Sequence, residues 1–199
     1  VFCCFNNSYK ITPSLFERWL RLLQAVPGSV LWLFASQPVV VQNLREEARR
    51  RGADPERLVF AKALPYAEYL ARMQLADLFL DTLPFNGGTT ASDALWAGVP
   101  VLTCPGEAFA SRMAASLLNA IGLPELITHS LKEYESLALE LARNPQRLAE
   151  IKSKLARNRG TYPLFDTDRF RRHIEAAYTT MWERYQRGEP PASFAVRPV

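Results

Sequence analysis

Apolar positions in this chain fall into short continuous runs separated by longer stretches with helical spacing. Val1 to Phe5, Val30 to Phe34, Leu58 to Phe60, Leu78 to Leu80 and Val99 to Thr103 are too short for helices. Turn-forming residues bound them, so each reads as a buried strand. Between the runs the periodicity predicts four helices. The first runs from Pro13 to about Val26, opened by that proline and a Ser14…Glu17 capping box. The second covers about Val41 to Arg51 and is closed by Gly52. A third spans about Tyr66 to Gln74, and a fourth begins near Thr89-Thr90 and stops at Gly98-Val99-Pro100. Beyond Thr103 the pattern is helical: about Phe109 to Ile121, Leu131 to Ala142, Asn144-Pro145 to about Arg159, and Asp166 to Arg187.

Strands alternating with helices at this spacing predict βαβ units and a parallel sheet. Right-handed crossovers favour the strand order 3-2-1-4-5, an α/β, Rossmann-like, doubly wound arrangement with extra C-terminal helices. The expected division is one domain over residues 1–188 and a Pro-rich tail over 189–199, which is either a true C-terminus or a wrap onto another domain. In that strand order, strands 1 and 4 are neighbours where the winding reverses. The loops after them carry Lys10 and Gly87-Gly88-Thr89-Thr90, and they meet at the carboxyl edge of the sheet, where open α/β sheets bind ligands.

The chemistry of those loops suits a phosphate. Gly87 and Gly88 lack Cβ atoms, and just beyond them lie the free amides and positive dipole end of a helix, with two threonine hydroxyls. Read alone, the same loop is also an ordinary αβ connection with Thr as N-cap. Lys10 is either solvated or the fixed cation that, with the helix dipole, stabilises a departing diphosphate without a metal. Asp93 shares a helix face with Thr90; it either accepts both hydroxyls of a ribose or complements the dipole. Asp81, at a strand end, reads as a loop-ordering residue rather than a catalyst. Glu107 and Arg112 flank the start of the helix after strand 5; an Arg there either approaches a ligand or, the favoured reading, makes a local ion pair or cap.

Composition narrows the function classes. With 48% hydrophobic and 22% charged residues, the chain has the make-up of a soluble globular protein able to bury a core. A net charge of +4 permits an anionic ligand, but the basic residues are spread over helices, so a nucleic-acid partner is not expected. No run is long enough to span a membrane, and no signal peptide is visible. Cys3, Cys4 and Cys104 are few, odd in number and without metal spacing, which points to a reducing cytosol and small buried packing roles. No acidic or histidine cluster has metal-ligand spacing. His129 and His173 have no nucleophile or carboxylate partner nearby in sequence and read as structural. The chain starts inside a strand without an initiator Met, so it reads as a fragment of a longer protein.

Several stretches resemble, in order, the C-terminal half of the catalytic region of the protein O-GlcNAc transferase family. They are FNNSYKI at 5–11, VPGSVLWL at 26–33, QLAD at 74–77, LDTLPFNGGTTASDALWAGVPVLTCPGEAFASRMAAS at 80–116 and TYPLF at 161–165. The resemblance implies one half of a GT-B glycosyltransferase, with a second Rossmann-like half and tetratricopeptide repeats upstream. It implies UDP-GlcNAc as donor, a protein Ser/Thr hydroxyl as acceptor, inversion at the anomeric carbon and no metal or other cofactor. Lys10 would stabilise the diphosphate, Gly87, Gly88, Thr89 and Thr90 would hold it, and Asp93 would bind the ribose. Asn7 stands where the animal enzymes carry a donor-contacting Gln. Leu64 would turn its backbone to uracil with Arg72 nearby. Tyr66 and Tyr69 stand where animal enzymes have Lys and His, and Gly88 replaces a His. The general base and the family's essential histidines would lie in the other half. Related transferases using GDP-fucose or UDP-glucose, and a non-catalytic nucleotide-sugar binding module, are the alternatives.

Overall fold

The computed structural model describes residues 1–197. The five runs form one parallel sheet: β1 (Phe2–Cys4), β2 (Leu31–Phe34), β3 (Leu58–Ala61), β4 (Leu78–Leu80) and β5 (Val101–Leu102), in the order β3-β2-β1-β4-β5. This is the expected α/β, doubly wound order. Phe2 pairs with Leu31 on one side and Leu78 on the other, and Phe79 pairs with Val101. The central strands β1 and β4 are buried along their whole length, which is why their sequences are continuous apolar runs rather than alternating ones.

Helices cover both faces: α1 (Pro13–Ala25), α2 (Pro38–Arg50), α3 (Tyr66–Met73) and α4 (Thr89–Ala97) between the strands. Beyond β5 come α5 (Met113–Ala120), α6 (Leu131–Arg143), α7 (Pro145–Asn158) and α8 (Thr167–Gln186). Three details differ from the sequence reading. The cap of α1 is Thr12, which accepts from the Leu15 amide, and Glu17 instead pairs with Arg21 and Arg51. Helix α2 starts at Pro38, before its polar stretch, because a proline at the first helical position costs no hydrogen bond there. The predicted helix from Phe109 splits into a 3-10 turn over Phe109–Ser111 and α5.

One continuous core joins the sheet to helices α1 through α7, running from Phe2 to Leu155. Helix α6 locks onto the sheet through a buried relay. Trp19 Nε1 donates to the Tyr134 hydroxyl (3.2 Å), which in turn donates to the Asp81 carbonyl at the end of β4 (3.0 Å). The three cysteines are buried and unpaired, and burial pushes the Cys4 thiol up to about 12, so Cys4 stays a protonated packing group at neutral pH. Among the described residues, no helix is long and apolar enough to cross a membrane.

Candidate functional site

The turn after β1 and the loop between β4 and α4 meet at the carboxyl edge of the sheet. A 3-10 turn over Ser8–Lys10 carries the lysine side chain toward that loop, where Lys10 Nζ donates to the Asn86 carbonyl (2.9 Å). The ammonium also sits 3.8 Å from the centre of the Phe85 ring. The cation is therefore fixed beside the residues that lead into α4.

The loop owes its shape to a buried polar network. The Asp81 carboxylate, fully buried at the end of β4, accepts from the Gly87 amide (2.6 Å) and the Thr103 hydroxyl (2.7 Å). Asn6, buried after β1, donates to Thr82 Oγ1 (2.8 Å), and its carbonyl oxygen accepts from the Thr90 hydroxyl. Burial lifts the Asp81 carboxyl to about 6 even though its hydrogen bonds pull the other way. Asn6, Asp81, Thr90 and Thr103 thus tie β1, β4, α4 and β5 together beneath the loop. Leu83-Pro84 within it is a cis peptide.

The N-cap of α4 is Gly88, with no side-chain cap, so the reading of a threonine as N-cap does not hold. Thr90 turns inward to Asn6 instead. The first-turn amides of α4 lack a side-chain partner, which leaves the positive end of the helix available to an anion. The two glycines differ in kind. A Cβ on Gly87 would lie 2.7 Å from Thr90 Oγ1 and 3.0 Å from Asn6 Oδ1, whereas on Gly88 the nearest atom would be Met113 Cε at 3.8 Å.

A second group of predicted residues gathers beside α4. Asp93 is buried on α4, and Tyr66, the first residue of α3, donates its hydroxyl to Asp93 Oδ1 (2.8 Å). That bond raises the Tyr66 phenol above its ordinary value. The Tyr69 phenol is raised too, first by burial and then by the Asp93 charge, and its hydroxyl has no hydrogen-bond partner. Tyr69 packs against Tyr66 and Phe5, with ring centres 6.2 and 6.1 Å apart.

Arg72 lies over Phe5, Trp32 and Tyr69 and donates to the Lys62 carbonyl (2.7 Å). It anchors the start of the segment carrying Leu64, which is itself exposed. Asn7 stands apart from the loop of α4: it is exposed and lines a hollow of about 250 Å³ with Ser8, Phe34, Ser36 and Gln37. Of the two local roles expected at Glu107 and Arg112, the cap is the one present: Arg112 is the cap residue between the 3-10 turn over Phe109–Ser111 and α5. The His129 backbone amide donates to the Glu133 carboxylate, which with the Ser130 cap closes the start of α6. Among the described residues, no group of three or more His, Cys, Asp or Glu is placed to hold a metal ion.

Asn6, Thr82, Phe85 and Thr103 were not legible as site residues. Their partners lie far along the chain, and only the β1–β4–β5 adjacency brings them together.

Comparison with known proteins adds a decisive observation: the profile of glycosyl transferase family 41 matches residues 1–174. The chain belongs to glycosyl transferase family 41. It is 40% identical over 190 residues to a UDP-N-acetylglucosamine--peptide N-acetylglucosaminyltransferase of Caenorhabditis elegans, covering 96% of this chain and 16% of that protein. It is also 40% identical, over 98% of its own length and 20% of the relative's, to the probable UDP-N-acetylglucosamine--peptide N-acetylglucosaminyltransferase SEC of Arabidopsis thaliana. The chain therefore spans about a fifth or less of these relatives. Among solved structures, an O-GlcNAc transferase mutant of Thermobaculum terrenum superposes with a TM-score of 0.85 at 37% identity, over 91% of this chain and 35% of that one. Anabaena Alr3699/HepE in complex with UDP shares the fold at 16% identity, with a TM-score of 0.63 over 90% of this chain and 48% of that one. The fold is that of one half of a GT-B glycosyltransferase, as the family resemblance implied.

Proposed function

We propose that this chain is the donor-binding half of an inverting, metal-independent glycosyltransferase that moves GlcNAc from UDP-GlcNAc to protein Ser/Thr hydroxyls. The observation that carries the reading is the convergence of the Lys10 ammonium with the loop entering the uncapped α4 N-terminus. In the reaction, the acceptor oxygen attacks the anomeric carbon from the face opposite UDP. The bond to the diphosphate breaks, and the acceptor proton passes to a base on the other half. Negative charge grows on the leaving diphosphate, and a cation and helix dipole already in position stabilise it without reorganising. Thr89 and the amides after Gly88 hold the phosphates, and Asp93 takes the ribose hydroxyls once Tyr66 shares or yields its bond. The Leu64 backbone and the Tyr69 ring face the base. The N-terminal half of the catalytic region, the upstream repeats and the acceptor protein are the partners this reading requires, in the cytoplasm.

The test is calorimetric titration with UDP, GDP and UDP-GlcNAc, with and without magnesium, on wild type and Lys10→Ala. Metal-free binding of UDP in preference to GDP, weakened at least about tenfold by Lys10→Ala through loss of a charge-assisted contact, is the expected result. Equal UDP affinity and equal transfer by Lys10→Ala in the full-length protein refute the role of Lys10. Preference for GDP moves the donor to a guanosine diphosphate sugar.

A further inference from the structure

We infer that Phe85 is a positioning residue for Lys10, holding the lysine ammonium against the α4 loop through the face of its ring. Two contacts fix that ammonium, and both come from the same dipeptide: the Phe85 ring at 3.8 Å and the Asn86 carbonyl at 2.9 Å. The dipeptide is itself rigid. The Thr82 hydroxyl donates to the Phe85 carbonyl (2.6 Å), the Asn86 amide donates to the Ala110 carbonyl (2.9 Å), and the Asn86 side chain donates to the Thr82 carbonyl (2.8 Å).

A lysine side chain has several free torsions, and ordering them opposes any contact the ammonium makes. One carbonyl bond leaves the ammonium free to pivot. A ring face in van der Waals contact, well inside the range of a cation–π interaction, removes most of that freedom. Phe85 is 45% exposed, so its ring is not there to fill the core. Tyr9, the residue before Lys10, lies beside it with ring centres 6.4 Å apart, so the turn that carries the lysine is braced on the same ring.

The inference rests on the proposal that Lys10 meets the donor diphosphate, and its test separates the two. The full-length protein is assayed at saturating donor. Phe85→Leu, which keeps apolar bulk but has no π face, is expected to lower turnover about tenfold, while Phe85→Tyr and Phe85→Trp stay within about twofold of wild type. Phenylalanine analogues with one to three ring fluorines at position 85 change size little and weaken the ring face stepwise, so turnover should fall stepwise with them. They also keep the test decisive if Phe85→Leu folds poorly. In a Lys10→Ala background, Phe85→Leu should cost nothing further in single turnover.

Turnover indifferent to fluorination overturns the inference. So does an effect of Phe85→Leu that persists at full size in the Lys10→Ala background, since the ring would then act on substrate or fold rather than on the lysine. Wild-type turnover in Lys10→Ala overturns the role of Lys10 itself, whereas a crippled Lys10→Ala beside an unaffected Phe85→Leu overturns only the role of Phe85.

Discussion

Gly87 and Gly88 look equivalent in the sequence, as two small residues before a helix, yet they answer to different constraints. At Gly87 the space is already filled by Thr90 and Asn6, so a methyl group must break the Asn6–Thr90 bond in a buried setting. At Gly88 a Cβ would make only an ordinary contact with Met113 Cε at 3.8 Å, so a methyl group fits, on the face of the loop where the proposed function brings the diphosphate to the helix. Gly87→Ala is therefore expected to lower unfolding stability by about 1–3 kcal/mol, the cost of stranding buried polar groups. Gly88→Ala is expected to cost less than about 1 kcal/mol, as a cap change, while weakening UDP binding. Chemical denaturation and UDP titration of both variants check this; equal stability losses would remove the distinction. The same contrast shows what a sequence reveals at this scale. That Lys10 and the Gly-Gly-Thr-Thr loop meet at one edge of the sheet was readable, because strand order alone brings those two loops together. That Asn6 and not Asn7 belongs to the network beneath the loop was not, because Asn6 is defined by partners on β4 and α4.

The element that organises the site is the strand-to-helix connection from β4 to α4, and its central group is Asp81. Reading Asp81 as a loop-ordering residue from its place at a strand end agrees with its bonds to the Gly87 amide and Thr103. The cost of the arrangement was not legible, since it comes from burial. Folding lifts this carboxyl from 3.8 to about 6, so the folded state holds the proton more tightly than the unfolded chain. The group's stabilising contribution is complete below about 3.8 and is lost as pH rises through about 6. At neutral pH the ionised form costs roughly 3 kcal/mol, at about 1.4 kcal/mol per pH unit. Asp81→Asn keeps an acceptor for the Gly87 amide, and its amide can donate to the Thr103 hydroxyl after that group rotates. The variant is expected to match or exceed wild-type stability at pH 7. The difference between the two should shrink or reverse between about pH 6 and 4. Stability curves against pH for both proteins measure it, and parallel curves would show that Asp81 does not titrate in this range. Helix boundaries were legible to within a few residues for the same reason throughout: prolines and glycines mark them, while the choice of Thr12 over Ser14 as cap depends on where the backbone enters the helix.

On the scale of the whole molecule, the sheet and α1 to α7 share one core, while α8 stands outside it. No residue of α8 is buried, and Phe170, Tyr178, Met181, Trp182 and Tyr185 are all exposed. What orders α8 is local. Asp166 caps its first turn, Asp168, Arg171, Arg172 and Glu175 form ion pairs along it, and it packs on the 3-10 turn over Pro163–Phe165. Exposed pairs of this kind are screened by water and add far less than a core helix gains from packing. Sequence periodicity showed a long helix here but could not show that none of its residues is fully buried, because period and burial are separate facts. Opening energies should therefore divide the chain. Amides of β1, β4 and α4 are expected to exchange only through global unfolding, and amides of α8 at least about a hundredfold faster, through fraying and local opening. Hydrogen exchange followed by mass spectrometry on this chain resolves the two populations. Equal protection of α8 and α4 would mean that α8 unfolds with the core and that residues 1–188 form one cooperative unit. Faster exchange would confine that unit to the elements that carry Lys10, the α4 loop and Asp93, so that the site is held by the most stable part of the molecule.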